Sequence, residues 1–231
     1  MTHDDGIPAT TVTVDMAVFT VRDGRFGILL VRRGNPPFKG KLALPGGFLE
    51  PDEDLDDAAA RELAEETALS AADVHLEQFR GYGAVGRDPR TRVVTICYLA
   101  LVPSPPAVVA GGDAADAVWV AVDDILADPS MMAFDHARIV RDAAAHARGK
   151  LEHTTIAAAF CPKEFTLSDL RRVYEIVWGE ALDPRNFHRK IMKVDDFLLP
   201  TGTATTRDGG RPAALYRAGA ATQLRPPLYR R

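Results

Sequence analysis

Residues 45–69 read PGGFLEPDEDLDDAAARELAEETAL, a loop with two glycines followed by a segment that predicts a helix. The stretch 54–68 is rich in Ala, Leu and Glu and contains no Gly or Pro, which favours a helix. Glu62, Glu65 and Glu66 are spaced as i, i+3 and i+4, so their carboxylates project from one helix face. Three carboxylates at this spacing repel one another, and a bound cation relieves that repulsion. The stretch therefore predicts a loop and helix that present acidic side chains to a metal ion.

This acidic helix is suited to diphosphate chemistry. Carboxylate oxygen favours hard divalent ions, so we expect Mg²⁺ or Mn²⁺ at the three glutamates. Such an ion bridges diphosphate oxygens and lowers the pKa of a bound water. Gly46 and Gly47 let the backbone approach metal or phosphate without a Cβ, and Arg61 is expected to pair with a glutamate and orient it. The alternative is a solvated acidic face, which a lone E-x-x-E-E pattern favours.

The full spacing resembles the Nudix box, G-x5-E-x7-R-E-U-x-E-E-x-G-U, where U is a bulky apolar residue. The matching residues are Gly47, Glu53, Arg61, Glu62, Leu63, Glu65, Glu66 and Leu69. The resemblance implies an α/β/α sandwich around a mixed sheet, with a divalent metal held by Glu62, Glu65 and Glu66. We predict catalytic roles for Glu65, Glu66, Glu53 and Arg61. Ala68 replaces the pattern's final Gly and leaves every metal ligand in place.

Two loops supply further candidates for the site. ADP-ribose-cleaving relatives often take a general base from a loop outside the box, and Asp113, Asp116 and Glu53 are the candidates, each with a plain surface role as the alternative. The segment 86–92 carries Arg87, Arg90 and Arg92, whose guanidinium forks suit diphosphate and ribose-phosphate oxygens. A solvated basic loop or a subunit contact is the alternative for these arginines. We therefore predict a ligand site formed by Gly46, Gly47 and the three arginines.

The remaining pattern of the first 150 residues predicts an α+β domain. Strand-like runs at 12–19 and 26–32 flank Asp23-Gly24, which predicts a hairpin. Further strands are expected at 92–102 and 117–122, and a helix at 135–151. We place a ligand-binding domain at residues 1–150 and a second domain at 151–231.

Net charge separates the two parts. Residues 151–231 contain 13 Lys+Arg and 9 Asp+Glu, whereas residues 1–150 contain 15 and 23. A net charge of +4 beside one of −8 indicates different partners, with a polyanion suited to the basic part.

The basic part predicts a winged helix-turn-helix. A helix at 164–178 with Thr166 as N-cap and Gly179 at its end precedes a second helix at 183–194, opened by Asp183-Pro184. Phe187, Ile191 and Val194 are spaced to face a core. Two short strands follow around 208–210. The residues that we predict to contact DNA are Arg185, Asn186, His188, Arg189, Lys190 and Lys193 on the helix, and Arg207 and Arg211 on the wing. A solvated helix face or a protein-contact module is the alternative.

The run FTLSDLRRVYEIVWGEALDPRNFHRKI, followed by GRPAALYR, resembles the C-terminal domain of the NrtR family, regulators of NAD metabolism with a Nudix-like N-terminal domain. The resemblance implies a repressor of NAD biosynthesis or salvage genes that ADP-ribose releases from operator DNA. The two-fold symmetry of operators predicts that it is a homodimer. The rival hypothesis is a Mg²⁺-dependent ADP-ribose pyrophosphatase that yields AMP and ribose 5-phosphate.

The composition fits a globular protein, with 46% hydrophobic and 26% charged residues. No apolar run approaches the length of a membrane span, and the polar N-terminus lacks a secretory pattern, so we expect a cytoplasmic protein without membrane contact. Cys97 and Cys161 lack the spacing of a disulfide framework or zinc site and are expected to be buried.

Overall fold

The computed structural model describes two compact units. The described residues are 9–67, 70–71, 74–103, 117–206 and 212–230, and the side chains of residues 66 and 67 lie outside that description. The first unit comprises Met1–Phe19, Gly27–Leu101 and Pro105–Ala144, and the second comprises Thr20–Phe26, Val102–Ser104 and Ala145–Arg231. The domain boundary at residue 150 remains a prediction.

One mixed sheet organises the N-terminal part of the chain. Its strands are β1 (Thr11–Arg22), β2 (Arg25–Arg32), β3 (Leu42–Ala43), β4 (Gly46–Phe48), β5 (His75–Tyr82), β6 (Val93–Leu101) and β7 (Ala117–Ala121). The order is β3-β2-β1-β6-β5, with β4 paired to β1 and β7 paired to β2. The β1–β6 pairing is parallel, whereas β4 runs antiparallel to β1. The mixed sheet predicted from the sequence is therefore confirmed.

The predicted turn between the first two strands is also confirmed. Asp23 and Gly24 both have positive φ, at 50° and 74°. A two-residue turn with positive φ at both positions matches the twist of paired strands, and Asp-Gly tolerates it. The apolar run of β1 is buried, which places Met16 and Phe19 in the core.

Three α-helices accompany the sheet among the described residues. They are α1 (Leu55–Thr67), α2 (Val122–Ala127) and α3 (His136–His153). Leu63 on α1 and Ile139 on α3 are fully buried, as the predicted helix periodicity requires. Whether α1 continues through Ala68 lies outside the described residues.

The second unit has the element order of a winged helix. After the C-terminal end of α3 come a 3₁₀ helix (Ile156–Phe160), α4 (Leu167–Trp178), α5 (Pro184–Ile191), β8 (Leu198–Thr205) and β9 (Ala213–Ala218). Thr166 caps α4 in a capping box with Asp169, and Gly179 ends it in a left-handed conformation with φ of 75°. Strands β8 and β9 pair antiparallel, as the sequence predicts.

Two predicted helix bounds were wrong by a few residues. Helix α4 begins at Leu167 and not at Glu164, because the backbone of Phe165 exchanges hydrogen bonds with Tyr216 in a β-bridge. Helix α5 ends at Ile191 because Lys193 and Val194 donate to carbonyls three residues back, which tightens the last turn into 3₁₀ geometry.

Strand β5 and helix α2 were not predicted. The alternation of β5 is broken by a bulge between Gln78 and Arg80, so its apolar residues do not recur at every second position. Helix α2 buries Val122 and Ile125. It is six residues long, which is too short to show helical periodicity in the sequence. None of the helices in the described ranges is long and apolar enough to cross a membrane.

Candidate functional site

A cavity of about 800 Å³ opens in the first unit. Its wall contains residues of β4, Glu62 and Glu65 of α1, and residues of the arginine loop 86–92 that precedes β6. Of the predicted ligand and metal residues, those that line it are Gly46, Gly47, Glu62, Glu65, Arg87 and Arg90. A volume of this size accommodates a nucleotide-sized ligand.

Arg61 organises the acidic residues of α1. Its Nε and Nη2 donate to the two carboxylate oxygens of Glu53 at 2.8 and 2.9 Å, a bidentate pair. Its Nη1 donates to Glu62 Oε1 at 2.7 Å and lies 3.5 Å from Glu65 Oε2. These contacts hold the pKa of Glu53 below its ordinary value, and hydrogen bonding to Glu53 and then Glu62 raises the pKa of Arg61. The box arginine thus orients Glu53, which precedes α1, and Glu62, which lies on it.

Glu62 lies deepest among these carboxylates. Burial raises its pKa, and the hydrogen bond from Arg61 opposes that shift. Gly47 lies directly against this carboxylate, since a Cβ built on Gly47 would overlap Glu62 Oε1. A side chain at this position would therefore displace the Glu62 carboxylate from the place that it occupies in the cavity wall.

Two of the three predicted metal ligands lie in the cavity wall. Glu62 and Glu65 contribute carboxylate oxygens to the cavity wall, and the side chain of Glu66 lies outside the described residues. Within the described ranges, no group of three metal-type side chains is arranged as a complete site. Carboxylates of this kind bind Mg²⁺ or Mn²⁺, so the residues present match the chemistry of those ions.

Two arginines of the loop 86–92 are fixed in the wall by carboxylates. Arg87 Nε and Nη2 donate to Asp135 at 3.1 and 2.8 Å, and Arg90 Nη2 donates to Asp88 Oδ2 at 2.7 Å. The hydrogen bonds from Arg90 lower the pKa of Asp88. Arg92 is exposed and donates to the carbonyl of Ala84. Among the described residues, Arg92 does not line the cavity. A role for Arg92 in ligand binding remains a prediction.

Aromatic rings form another side of the cavity. The Arg90 guanidinium lies 5.7 Å from the ring centroids of both Phe48 and Phe134, and Arg33 lies 4.6 Å from that of Phe134. Phe48 is 48% exposed, and Phe134 adopts a φ of 52°, which is rare for a residue of this size. Such faces stack with the planar bases of nucleotides.

The floor of the cavity holds two polar side chains that the sequence analysis missed. Asp15 on β1 is 7% exposed and His136 at the start of α3 is 5% exposed, and both line the cavity. The readable signal for Asp15 is a charged residue inside the apolar run VTVDMAVF. His136 and the aromatic residues carry no such signal, because only the fold brings them to the box. The candidate bases Asp113 and Asp116 lie outside the described residues.

The second unit presents the predicted basic helix. Asp183 caps α5, accepting a hydrogen bond from Asn186 N at 2.7 Å, and Pro184 occupies the first turn. Phe187 and Ile191 are buried, and the Phe187 ring packs edge-on against Tyr174 of α4 at 5.5 Å. The predicted apolar stripe is therefore confirmed at these two positions.

The opposite face of α5 is polar. Arg185, His188 and Arg189 are exposed, Asn186 and Lys190 are half-buried, and Lys193 is exposed in the turn beyond the helix. Arg189 donates to the Asn186 side chain at 2.7 Å, which couples two of the predicted DNA contacts. Arg207 and Arg211, predicted for the wing, lie outside the described residues.

Two protein-family models match separate parts of the chain. The NUDIX domain model matches residues 10–143, and the NrtR DNA-binding winged helix domain model matches residues 157–218. The ADPR responsive transcriptional repressor NtrR of Acinetobacter baylyi is 35% identical over 212 residues, covering 91% of this chain and 82% of that protein.

Solved structures extend the similarity to three dimensions. Shewanella oneidensis NrtR complexed with a 27mer DNA is 34% identical, with a TM-score of 0.79, and the match covers 90% of this chain and 93% of that one. The NUDIX domain of the same NrtR complexed with ADP ribose is 35% identical, with a TM-score of 0.55, covering 63% and 93%. The chain therefore belongs to the NrtR family, with a Nudix α/β domain followed by a winged helix domain.

Proposed function

We propose that this chain is a DNA-binding transcriptional repressor whose Nudix domain binds ADP-ribose or a related NAD-derived diphosphate. The observation that carries the proposal is the presence, in one chain, of a nucleotide-sized cavity beside the acidic helix and a winged helix with a basic polar face. A relative named as an ADPR responsive repressor shares both domains over most of its length.

The cavity supports a ligand of this class through three kinds of group. Arg87 and Arg90 provide fixed positive charge for phosphate oxygens, and Phe48 provides an aromatic face for a base. Glu62 and Glu65 offer oxygens to a divalent cation, and Nudix hydrolases as a class use divalent metals. We propose Mg²⁺, or Mn²⁺, held by Glu62, Glu65 and Glu66.

The winged helix supports operator binding. Its exposed Arg185, Arg189 and Lys193 suit phosphate and base contacts, and the polar face is fixed by the buried contacts of Phe187 and Ile191. We further propose that the protein acts in the cytoplasm as a homodimer, because operators read by helix-turn-helix proteins carry two-fold symmetry. The proposed targets are NAD biosynthesis or salvage genes.

An electrophoretic mobility shift tests the proposal. The full chain is titrated onto DNA from the upstream region of NAD-biosynthesis genes, with and without ADP-ribose, and Arg185→Ala is compared with Lys163→Ala as a control outside α5. We expect a shifted band that ADP-ribose abolishes and that Arg185→Ala weakens more than Lys163→Ala does. Absence of any shift at low salt would overturn the repressor function.

A second function is favoured by the arrangement on α1. Arg61 hydrogen-bonds to Glu53 and Glu62 and lies close to Glu65. Carboxylates held in this way suit a divalent metal that activates water for attack on a diphosphate. The candidate activity is hydrolysis of ADP-ribose to AMP and ribose 5-phosphate, which is compatible with a repressor that slowly consumes its own inducer.

Product analysis tests this activity. The protein is incubated with ADP-ribose and Mg²⁺ or Mn²⁺, and AMP is quantified by chromatography. We expect Glu65→Gln and Glu66→Gln to abolish any AMP formation, whereas Glu77→Gln on β5 leaves it unchanged. Turnover that survives both box substitutions would exclude the site proposed here.

A further inference from the structure

Asp15 and His136 form a polar pair at the floor of the cavity. Both are more than nine-tenths buried and both line the cavity. Neither belongs to the acidic helix α1 or to the arginine loop 86–92. Because both side chains line the cavity, their polar atoms are placed to contact a bound ligand.

The hydrogen bonding of His136 fixes its tautomer. The backbone N–H of Leu44 donates to His136 Nδ1 at 2.9 Å, so Nδ1 carries a lone pair. The ring is therefore neutral, and its single N–H lies at Nε2. Burial also lowers the pKa of His136, which agrees with the neutral form. The floor thus presents one N–H donor of known position.

Asp15 supplies the complementary acceptor. Its Oδ2 lies 3.8 Å from His136 Nε2, which is longer than a hydrogen bond, and 3.5 Å from Arg87 Nη2. Arg87 makes its short contacts with Asp135 instead. The carboxylate and the imidazole N–H therefore lie side by side in the cavity wall, too far apart to hydrogen-bond to each other.

We propose that Asp15 and the Nε2–H of His136 form a subsite for a ribose hydroxyl of the bound nucleotide. The inference rests on the proposed function and deepens it. A hydroxyl donates to Asp15 and accepts from His136 through one oxygen. Since 3.8 Å is less than twice a hydrogen-bond length of about 2.8 Å, a single oxygen reaches both groups.

Other ligand groups match the pair less well. A phosphate oxygen has no proton to donate and is repelled by the Asp15 carboxylate. A cation is repelled by Arg87, whose side chain is 4% exposed beside the pair. A hydroxyl hydrogen-bonds to both groups without adding charge. A ligand that lacks it leaves the Nε2–H of His136 and an oxygen of Asp15 without that hydrogen bond, which makes the subsite selective.

Isothermal titration calorimetry on the full chain tests the subsite, in EDTA and again in Mg²⁺. The variants are Asp15→Asn, which removes the charged acceptor, and His136→Asn, which keeps an acceptor for the Leu44 N–H and removes the Nε2 donor. Asp142→Asn is the matched control, because it removes another partly buried carboxylate of the first unit that does not line the cavity. The ligands are ADP-ribose, ADP, 2′-deoxy-ADP and 3′-deoxy-ADP.

Both subsite variants are expected to weaken ADP-ribose binding by about tenfold or more, and the control by less than about twofold. An equal loss for ADP assigns the hydroxyl to the adenosine ribose, and unchanged ADP binding assigns it to the second ribose. ADP-ribose affinities within twofold of wild type in both variants would overturn the subsite.

The wild-type protein provides a measurement that does not depend on the folding of the variants. We expect removal of one ribose, or of one ribose hydroxyl, to reduce affinity by at least about tenfold. Equal affinity for all four ligands would overturn the subsite while leaving the proposed function intact. Failure of wild type to bind ADP-ribose at all would instead contradict the proposed function.

Discussion

At the scale of single residues, Arg61 shows how one side chain defines the acidic site. It holds Glu53 in a bidentate pair and reaches Glu62 with a third hydrogen bond. Because Glu62 is 7% exposed, its charge depends on that partner. The arginine of the box is therefore a positioning residue whose loss affects both stability and the geometry of the carboxylates.

Replacing Arg61 with Ala is expected to lower the free energy of unfolding by about 1–3 kcal/mol, because Glu62 is left buried without its partner. Urea denaturation at pH 7 measures this change. Arg92→Ala is the control, since Arg92 is exposed and makes one hydrogen bond to a carbonyl, and it should cost less than about 0.5 kcal/mol. Equal losses in the two variants would show that Arg61 does not support the site.

His136 predicts a pH dependence of stability. Burial lowers its pKa in the folded state below the unfolded value of 6.5, so the folded protein binds fewer protons than the unfolded chain in this range. The contribution to stability is present above pH 6.5 and is lost as pH falls toward the folded pKa, by at most about 1.4 kcal/mol per pH unit. Urea denaturation from pH 5 to 8 should show this slope in wild type and a smaller one in His136→Asn. Identical slopes would contradict a neutral buried His136.

Residues of the candidate site could be predicted from the sequence only where a fixed spacing along the chain identified them. The offsets among Gly47, Glu53, Arg61 and the glutamates of α1 are fixed by a helix and a loop, so the sequence alone identified them. Asp15, Phe134 and His136 reach the cavity from distant elements, and their contact depends on strand order and on the entry into α3. No local pattern encodes that proximity.

At the scale of elements, helices with clear caps were predicted best. Thr166 and Gly179 bound α4, and Asp183 and Pro184 open α5, each in the expected role. Strand β5 escaped prediction because its bulge breaks the two-residue period, and α2 escaped because six residues cannot display a helical period. Hydrogen bonds between residues distant in sequence, such as those of Phe165 with Tyr216, determine where α4 begins, and the local sequence does not reveal them.

The cap of α5 gives a prediction at this scale. Asp183→Ala removes the acceptor for Asn186 N and is expected to destabilise the chain by about 1 kcal/mol, whereas Asp183→Asn retains a capping side chain and should cost a few tenths. Thermal or urea unfolding followed by circular dichroism compares the two. Equal stability of the Ala and Asn variants would show that the cap does not hold the helix.

At the scale of the whole molecule, residues 1–150 and 151–231 carry net charges of opposite sign, and the proposed function gives them different partners. The Nudix unit provides the cavity, and the winged helix provides the basic helix α5. A repressor that responds to a ligand requires a coupling free energy between the two sites, and that coupling must act equally in both directions. The proposal is therefore a statement about linked binding equilibria.

The most direct test measures both halves of this linkage on the same protein. Fluorescence anisotropy gives the dissociation constant for operator DNA with and without saturating ADP-ribose, and calorimetry gives that for ADP-ribose with and without DNA. We predict that each ligand weakens the other by the same factor, within the usual range of about 5 to 150-fold. Dissociation constants for DNA that do not change when ADP-ribose is bound would contradict the account.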